Sequence, residues 1–89
     1  MLYVIRIELQ GVAAIDEQAA SAIAALREQG RLVLAGALPA VDSSDPGSAG
    51  LDGELIVAEW PDRPAAERWA AECFPGRTLH VSPFKKRAP

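Results

Sequence analysis

Apolar and polar residues alternate from the first positions of the chain. Tyr3, Ile5, Ile7 and Leu9 fall on one side, and Leu2, Val4, Arg6 and Glu8 on the other, which turns charged toward its end. A period of two in β-branched and aromatic residues predicts a strand over residues 2–9. After a connection containing Gly11 the period changes. Ala19, Ile23 and Leu26 recur at helical spacing inside an alanine-rich run of high helix propensity. Asp16 is placed to cap that helix, Glu17 puts a favourable charge in its first turn, and Gly30 is the residue expected just past its end. Residues 31–38, centred on Leu32, Val33 and Leu34, read as a second strand, with Gly36 suggesting a bulge or a close backbone approach. Residues 54–60 read as a third. Asp62 then caps a second helix with Pro64 in its first turn and Ala66, Trp69, Ala70 and Cys73 as its inner stripe. Phe74, Pro75 and Gly76 end it. In residues 77–83 Leu79 and Val81 alternate with Thr78, His80 and Ser82, which predicts a short last strand.

The order strand, helix, strand, strand, helix, strand is the split βαβ pattern of a ferredoxin-like α+β domain. Two helices cover one face of a four-stranded antiparallel sheet and leave the other bare. That bare face carries Val, Ile, Leu and Trp residues as well as charges, so the expectation is a homodimer built sheet to sheet, of the dimeric α+β barrel type. Between the second and third strands lies a polar connection over residues 39–53, rich in Asp, Ser, Pro and Gly. A loop of this length in a small domain is uncommon and usually functional or disordered; its composition favours order, because each of those residues imposes a local turn.

Composition adds few constraints. At 89 residues the chain allows one domain with a modest core. Its net charge of −3 argues against a nucleic-acid partner, and the basic cluster Lys85, Lys86, Arg87 in the tail at residues 85–89 is too short to outweigh it. A single cysteine, Cys73, rules out an internal disulfide. No segment has the apolar length of a membrane-spanning helix, and the opening residues lack the basic region and cleavage site of a signal peptide, so a cytoplasmic setting without membrane contact is expected. Neither a metal nor a cofactor is expected: there is no phosphate-binding glycine loop, nucleophile elbow or zinc spacing, and one Cys with one His cannot make a structural zinc site.

Several stretches resemble the YciI-like (YCII-related) family. They are the opening Met1-Leu2-Tyr3-Val4-Ile5, then Glu28, Gly30, Arg31 and Leu32, and the run from Ala35-Gly36 to Pro39. The resemblance continues through Ala40-Val41-Asp42-Ser43, Asp45-Pro46-Gly47, Ala49 and Gly50, then Ile56-Val57-Ala58-Glu59. It resumes at Ala65, Ala66, Trp69 and Ala70 and at Val81 with Pro83-Phe84-Lys85-Lys86. It implies the same ferredoxin-like dimeric fold. It also implies enzymatic activity, because members share a His on the first helix and an Asp that closes the second. Counted from Gly30 and Trp69, those positions hold Ala19 and Cys73 here, followed by Phe74 where the family has Pro. A methyl group moves no protons, so the family's acid–base pair is not reproduced.

The remaining candidates are few. Asp42, Ser43, Ser44 and Asp45 offer carboxylates and hydroxyls that either rim a small-molecule pocket or satisfy their own loop through local turns. Tyr3 and Arg6 point to opposite faces of the first strand; Arg6 suits an anionic ligand, or pairs with Glu8 or Glu54. His80, the only histidine, is the one candidate base, and as a catalyst it needs Asp42, Asp45 or Glu72 within reach. Cys73 at a helix C-terminus lacks the positive environment that makes a thiol reactive, and reads as a packing residue. Three readings follow: a small-molecule-binding or accessory protein, a small lyase-, isomerase- or hydrolase-type enzyme with replaced acid–base residues, and a structural dimer without ligand.

Overall fold

Strand β1 (Leu2–Val12) holds the molecule together because it is bonded on both edges. The computed structural model describes residues 1–89 and contains a four-stranded sheet of order β2-β3-β1-β4, with β2 at Leu32–Pro39, β3 at Leu51–Glu59 and β4 at Leu79–Pro83. All three pairings are antiparallel. Helices α1 (Glu17–Glu28) and α2 (Arg63–Cys73) complete the βαββαβ order of a ferredoxin-like fold of the dimeric α+β barrel type.

The alternation read from the sequence fixes which side the helices cover. Tyr3, Ile5, Ile7 and Leu9 are buried, with Ile5 and Ile7 fully so, and they cluster with Ile56 and Ala58 of β3 and Ala19, Leu26, Ala66 and Ala70 of the helices. Small alanines at the helix contacts let the backbones approach the sheet, while Trp60 fills the far end, tilted against Trp69 at 5.3 Å. Both helix starts are capped as expected: Asp16 Oδ1 accepts the Ala19 N–H at 2.8 Å, and Asp62 Oδ1 accepts the Ala65 N–H at 2.9 Å. Gly30, at φ 69°, turns the chain out of α1.

The element ends differ from the sequence reading. β1 runs on to Val12, and β3 begins at Leu51, because Val12 pairs with Leu51 beyond an irregularity at Gln10 and Gly11. Both of those residues have positive φ, so the chain kinks without leaving the sheet. The polar connection therefore shrinks to residues 40–50, and it closes on itself: the Ala40 N–H donates to the Gly50 carbonyl at 3.0 Å. β2 occupies Leu32–Pro39, and its register shifts lie between Leu32 and Leu34 and at Leu38/Pro39, not at Gly36, whose side-chain position meets nothing within 4 Å. β4 starts only at Leu79.

Gly50 is where this arrangement is least tolerant. Its φ of 72° and ψ of −159° belong to a region essentially reserved for glycine, and a Cβ there would sit 2.3 Å from the Gly11 carbonyl oxygen. Gly50→Ala is expected to lower unfolding free energy by about 2–3 kcal/mol, the combined order of strain and displacement. Chemical denaturation of both proteins measures this, and an unchanged midpoint would contradict the close approach of β1 to the loop.

Candidate functional site

Two of the groups with displaced ionisation equilibria lie on the helix-covered side of the sheet. Glu54 is the one buried charged residue, 6% exposed, on the core face of β3 in register with Ile7 and Ala37. No hydrogen-bond donor or cation among the side chains satisfies it, and burial alone pushes its carboxyl up to about 7. The sequence offered Glu54 as a partner of Arg6; the pleat sends the two to opposite faces, and Arg6 has Leu55 and His80 beside it instead.

The second group is Cys73, buried where α2 ends. Its thiol is pushed up by burial, with Glu72 and Asp16 adding negative charge nearby. It is therefore a packing thiol, as its position at a helix C-terminus suggested. Cys73 also lines a cleft of about 250 Å³ between the end of β1, the entry to α1 and the exit of α2. Leu9, Val12, Ile15 and Phe74 make its walls apolar, and Asp16 and Arg77 bring the charges. Asp16 spends one oxygen capping α1, and Arg77 spends one N–H on the Leu9 carbonyl at 3.2 Å, so Asp16 keeps one carboxylate oxygen and Arg77 most of its donors for other partners. Ala19 is three residues beyond Asp16 and fully packed under the first turn of α1. The cleft thus lies beside the two positions where the resemblance calls for a His and an Asp.

The polar loop stands at the same end of the sheet but shares no lining residue with the cleft. Pro39 to Ser44 outline their own shallow, open depression. Ser43 braces the loop: its Oγ accepts the Asp45 N–H and donates to the Asp45 carbonyl, both at 3.1 Å. Asp42, Ser44 and Asp45 are exposed.

The sequence-derived candidates are not gathered into one site within the protomer. Tyr3 is packed in the core, 5% exposed, opposite Ala58 and Pro83. Arg6 and His80 lie on the helix-free face, directly paired across β1 and β4. His80 does have a carboxylate, but it is Glu8 and not Asp42, Asp45 or Glu72: Nε2 and Oε2 are 2.5 Å apart. That hydrogen bond, with the charges of His80 and Arg6, holds the Glu8 carboxyl below its ordinary value. The pairing was missed because Glu8 and His80 are far apart in sequence and their meeting depends on the β1–β4 register. The same-face alternation of Glu8 and of His80 was the available signal.

The architecture defines a small ferredoxin-like α+β protein with a cleft at one end of its sheet. The chain belongs to the YCII-related family, whose domain matches residues 1–79. It is 48% identical over 66 residues to Protein YciI of Escherichia coli O6:H1, covering 68% of this chain and 67% of that one. It is 35% identical over 78 residues to an uncharacterized protein of Haemophilus influenzae, covering 82% and 80%. Among solved structures it resembles 5-chloro-2-hydroxyhydroquinone dehydrochlorinase of Burkholderia phenoliruptrix AC1100, in complex with 2,5-dihydroxybenzoquinone. That match has a TM-score of 0.60 over 96% of this chain and 94% of the other, at 12% identity, and it shows the shared fold alone. No helix is long and apolar enough to cross a membrane.

Glu54 gives the protein a measurable pH signature. Its folded value lies above the ordinary 4.5, so the folded state holds the proton more tightly and stability falls as pH rises from about 4.5 through about 7. Glu54→Gln is expected to leave stability near pH 5 almost unchanged and to raise it above pH 8, by at most about 3 kcal/mol. Denaturation midpoints of both proteins across that range test it; parallel profiles would count against a buried, unpaired carboxyl.

Proposed function

We propose that this protein is a small-molecule-binding or accessory member of the YCII-related family, acting as a homodimer in the cytoplasm, in which the family's acid–base pair has been lost. The observation that carries the reading is the cleft itself. It has an apolar wall suited to a compact ligand and two charged groups with free valences, Asp16 and Arg77. The residues at the two positions of the family's pair are an alanine and a thiol held in its neutral form. A ligand in this cleft meets these recognition groups and neither of the two acid–base side chains that the resemblance calls for.

The quinone bound by the structural neighbour supplies a first probe. 2,5-Dihydroxybenzoquinone is expected to bind saturably and to remain unconverted, as followed by calorimetry and absorbance. Ala14→Trp, at an exposed position on the cleft wall, is expected to weaken that binding at least tenfold while leaving the fold intact. Binding that ignores Ala14→Trp would move the ligand elsewhere. No binding by this compound or a panel of small phenols and carboxylates would leave the structural-dimer reading standing.

The dimer is supported by the helix-free face. Leu34 is 47% and Val33 37% exposed, and Leu34 lies opposite Val57, which in turn pairs with Val4. An apolar patch of this kind on a small domain is best covered by a second copy across a two-fold axis. Sedimentation velocity at micromolar concentration should give a dimer, and Leu34→Lys should convert it to a monomer of unchanged secondary structure. A monomeric wild-type protein would remove the dimer from the proposal.

A further inference from the structure

We propose that the cleft at the end of the sheet takes a compact zwitterion, an ammonium group and a carboxylate on one apolar body, of which an apolar α-amino acid is the simplest form. The inference rests on the reading of that cleft as the binding place and adds the class of ligand.

Two opposite charges enter the cleft from different elements. Arg77 comes from the exit of α2. Gly76, at φ 76°, and the hydrogen bond from the Arg77 N–H to the Phe74 carbonyl at 3.3 Å fold that exit into a turn. The Arg77 guanidinium then donates to the Leu9 carbonyl at 3.2 Å, which ties it to the end of β1. A guanidinium carries several N–H groups in a fixed fork, so donors remain for an acceptor in the cleft. Asp16 comes from the entry to α1. Its Oδ1 is fixed by the Ala19 N–H at 2.8 Å, which leaves Oδ2 as an acceptor without a partner in the chain. Asp16 and Arg77 form no salt bridge with each other, so a ligand can stand between them.

The surroundings sharpen this polarity. Burial, and then the negative charges of Glu72 and Asp16, raise the Cys73 thiol, so the end of the cleft at Cys73 is the negative one. Glu17 in the first turn of α1 adds to that sign against the helix dipole. Arg77 is the one cation in the lining and Asp16 the one anion, and the buried Leu9 and Phe74 make the wall apolar.

A ligand that satisfies both charges needs an acceptor for Arg77 and a donor for Asp16. A carboxylate takes the parallel N–H donors of the guanidinium, and an ammonium donates to Asp16 Oδ2; both are charge-assisted hydrogen bonds. A simple anion would bring its charge toward Asp16, and a simple cation would bring its charge toward Arg77. A body of zero net charge with separated ends meets neither repulsion. The cleft volume of about 250 Å³ limits that body to a small one. Val4, Val33, Leu34 and Val57 do not line the cleft, so the patch assigned to the dimer does not use it.

Three compounds that share one branched apolar body test the proposal: L-leucine, isocaproate, which lacks the ammonium, and isoamylamine, which lacks the carboxylate. Each is titrated into the full chain near neutral pH at constant ionic strength and followed by backbone amide NMR. Leucine is expected to shift the amides of Ala14 to Asp16 and of Cys73 to Arg77 saturably, and the other two to bind at least about fivefold more weakly, the order of one lost hydrogen bond between charged groups at an exposed rim. Arg77→Gln should bring leucine to the level of isoamylamine. Asp16→Asn keeps an oxygen to cap α1 and should bring leucine to the level of isocaproate. Equal binding of the three compounds, leucine binding that survives either substitution, or no leucine binding would overturn the proposal. If leucine fails while dihydroxybenzoquinone still binds in a manner sensitive to Ala14→Trp, the ligand class falls and the cleft reading stands; if both fail, the cleft reading falls with it.

Discussion

The pairing of β1 with two neighbours at once is the constraint from which the rest of the molecule follows. A central strand with both edges bonded leaves its side chains only two directions, and the pleat assigns them alternately. Tyr3, Ile5, Ile7 and Leu9 take the direction that the helices cover, and they form the middle of the core. Arg6 and Glu8 are thereby placed on the other side, where β4 brings His80 to meet them. A shift of one residue in register would exchange the two sets and leave the helices facing charges.

One end of the sheet collects most of the irregularities. The kink at Gln10 and Gly11, the close approach of Gly50, the entry to α1 and the exit of α2 all fall there. Elsewhere the backbone runs in ladders and helices, with a register shift between Leu32 and Leu34 of β2. At this end the backbone leaves those patterns, side chains such as Asp16 and Arg77 take up the free N–H and carbonyl groups, and a cleft remains between them. Cys73 lines that cleft, and Ala19 is packed under the first turn of the helix that starts beside it.

Much of this was legible in the chain. The helix caps at Asp16 and Asp62 were readable because a cap is a local event: one side-chain oxygen reaches an N–H three residues on. The alternation of β1 was readable for the same reason, since two-residue periodicity is a property of the strand alone. The bracing of the loop by Ser43 was among the readings that its composition allowed. The ends of β1 and β3 were not readable, because Val12 and Leu51 become strand only by pairing with each other across a kink.

The sequence by itself determined the order of elements, the faces they bury and the absence of a helix-one histidine, since periodicity, capping and residue identity are local. Only the tertiary structure decided that Glu54 is buried without a partner, that Cys73 walls a cleft, and that His80 finds its carboxylate in Glu8. Each of those depends on register and packing between segments distant in the chain. Residue types limit such contacts, but the distances that create them are set by how the strands and helices close on one another.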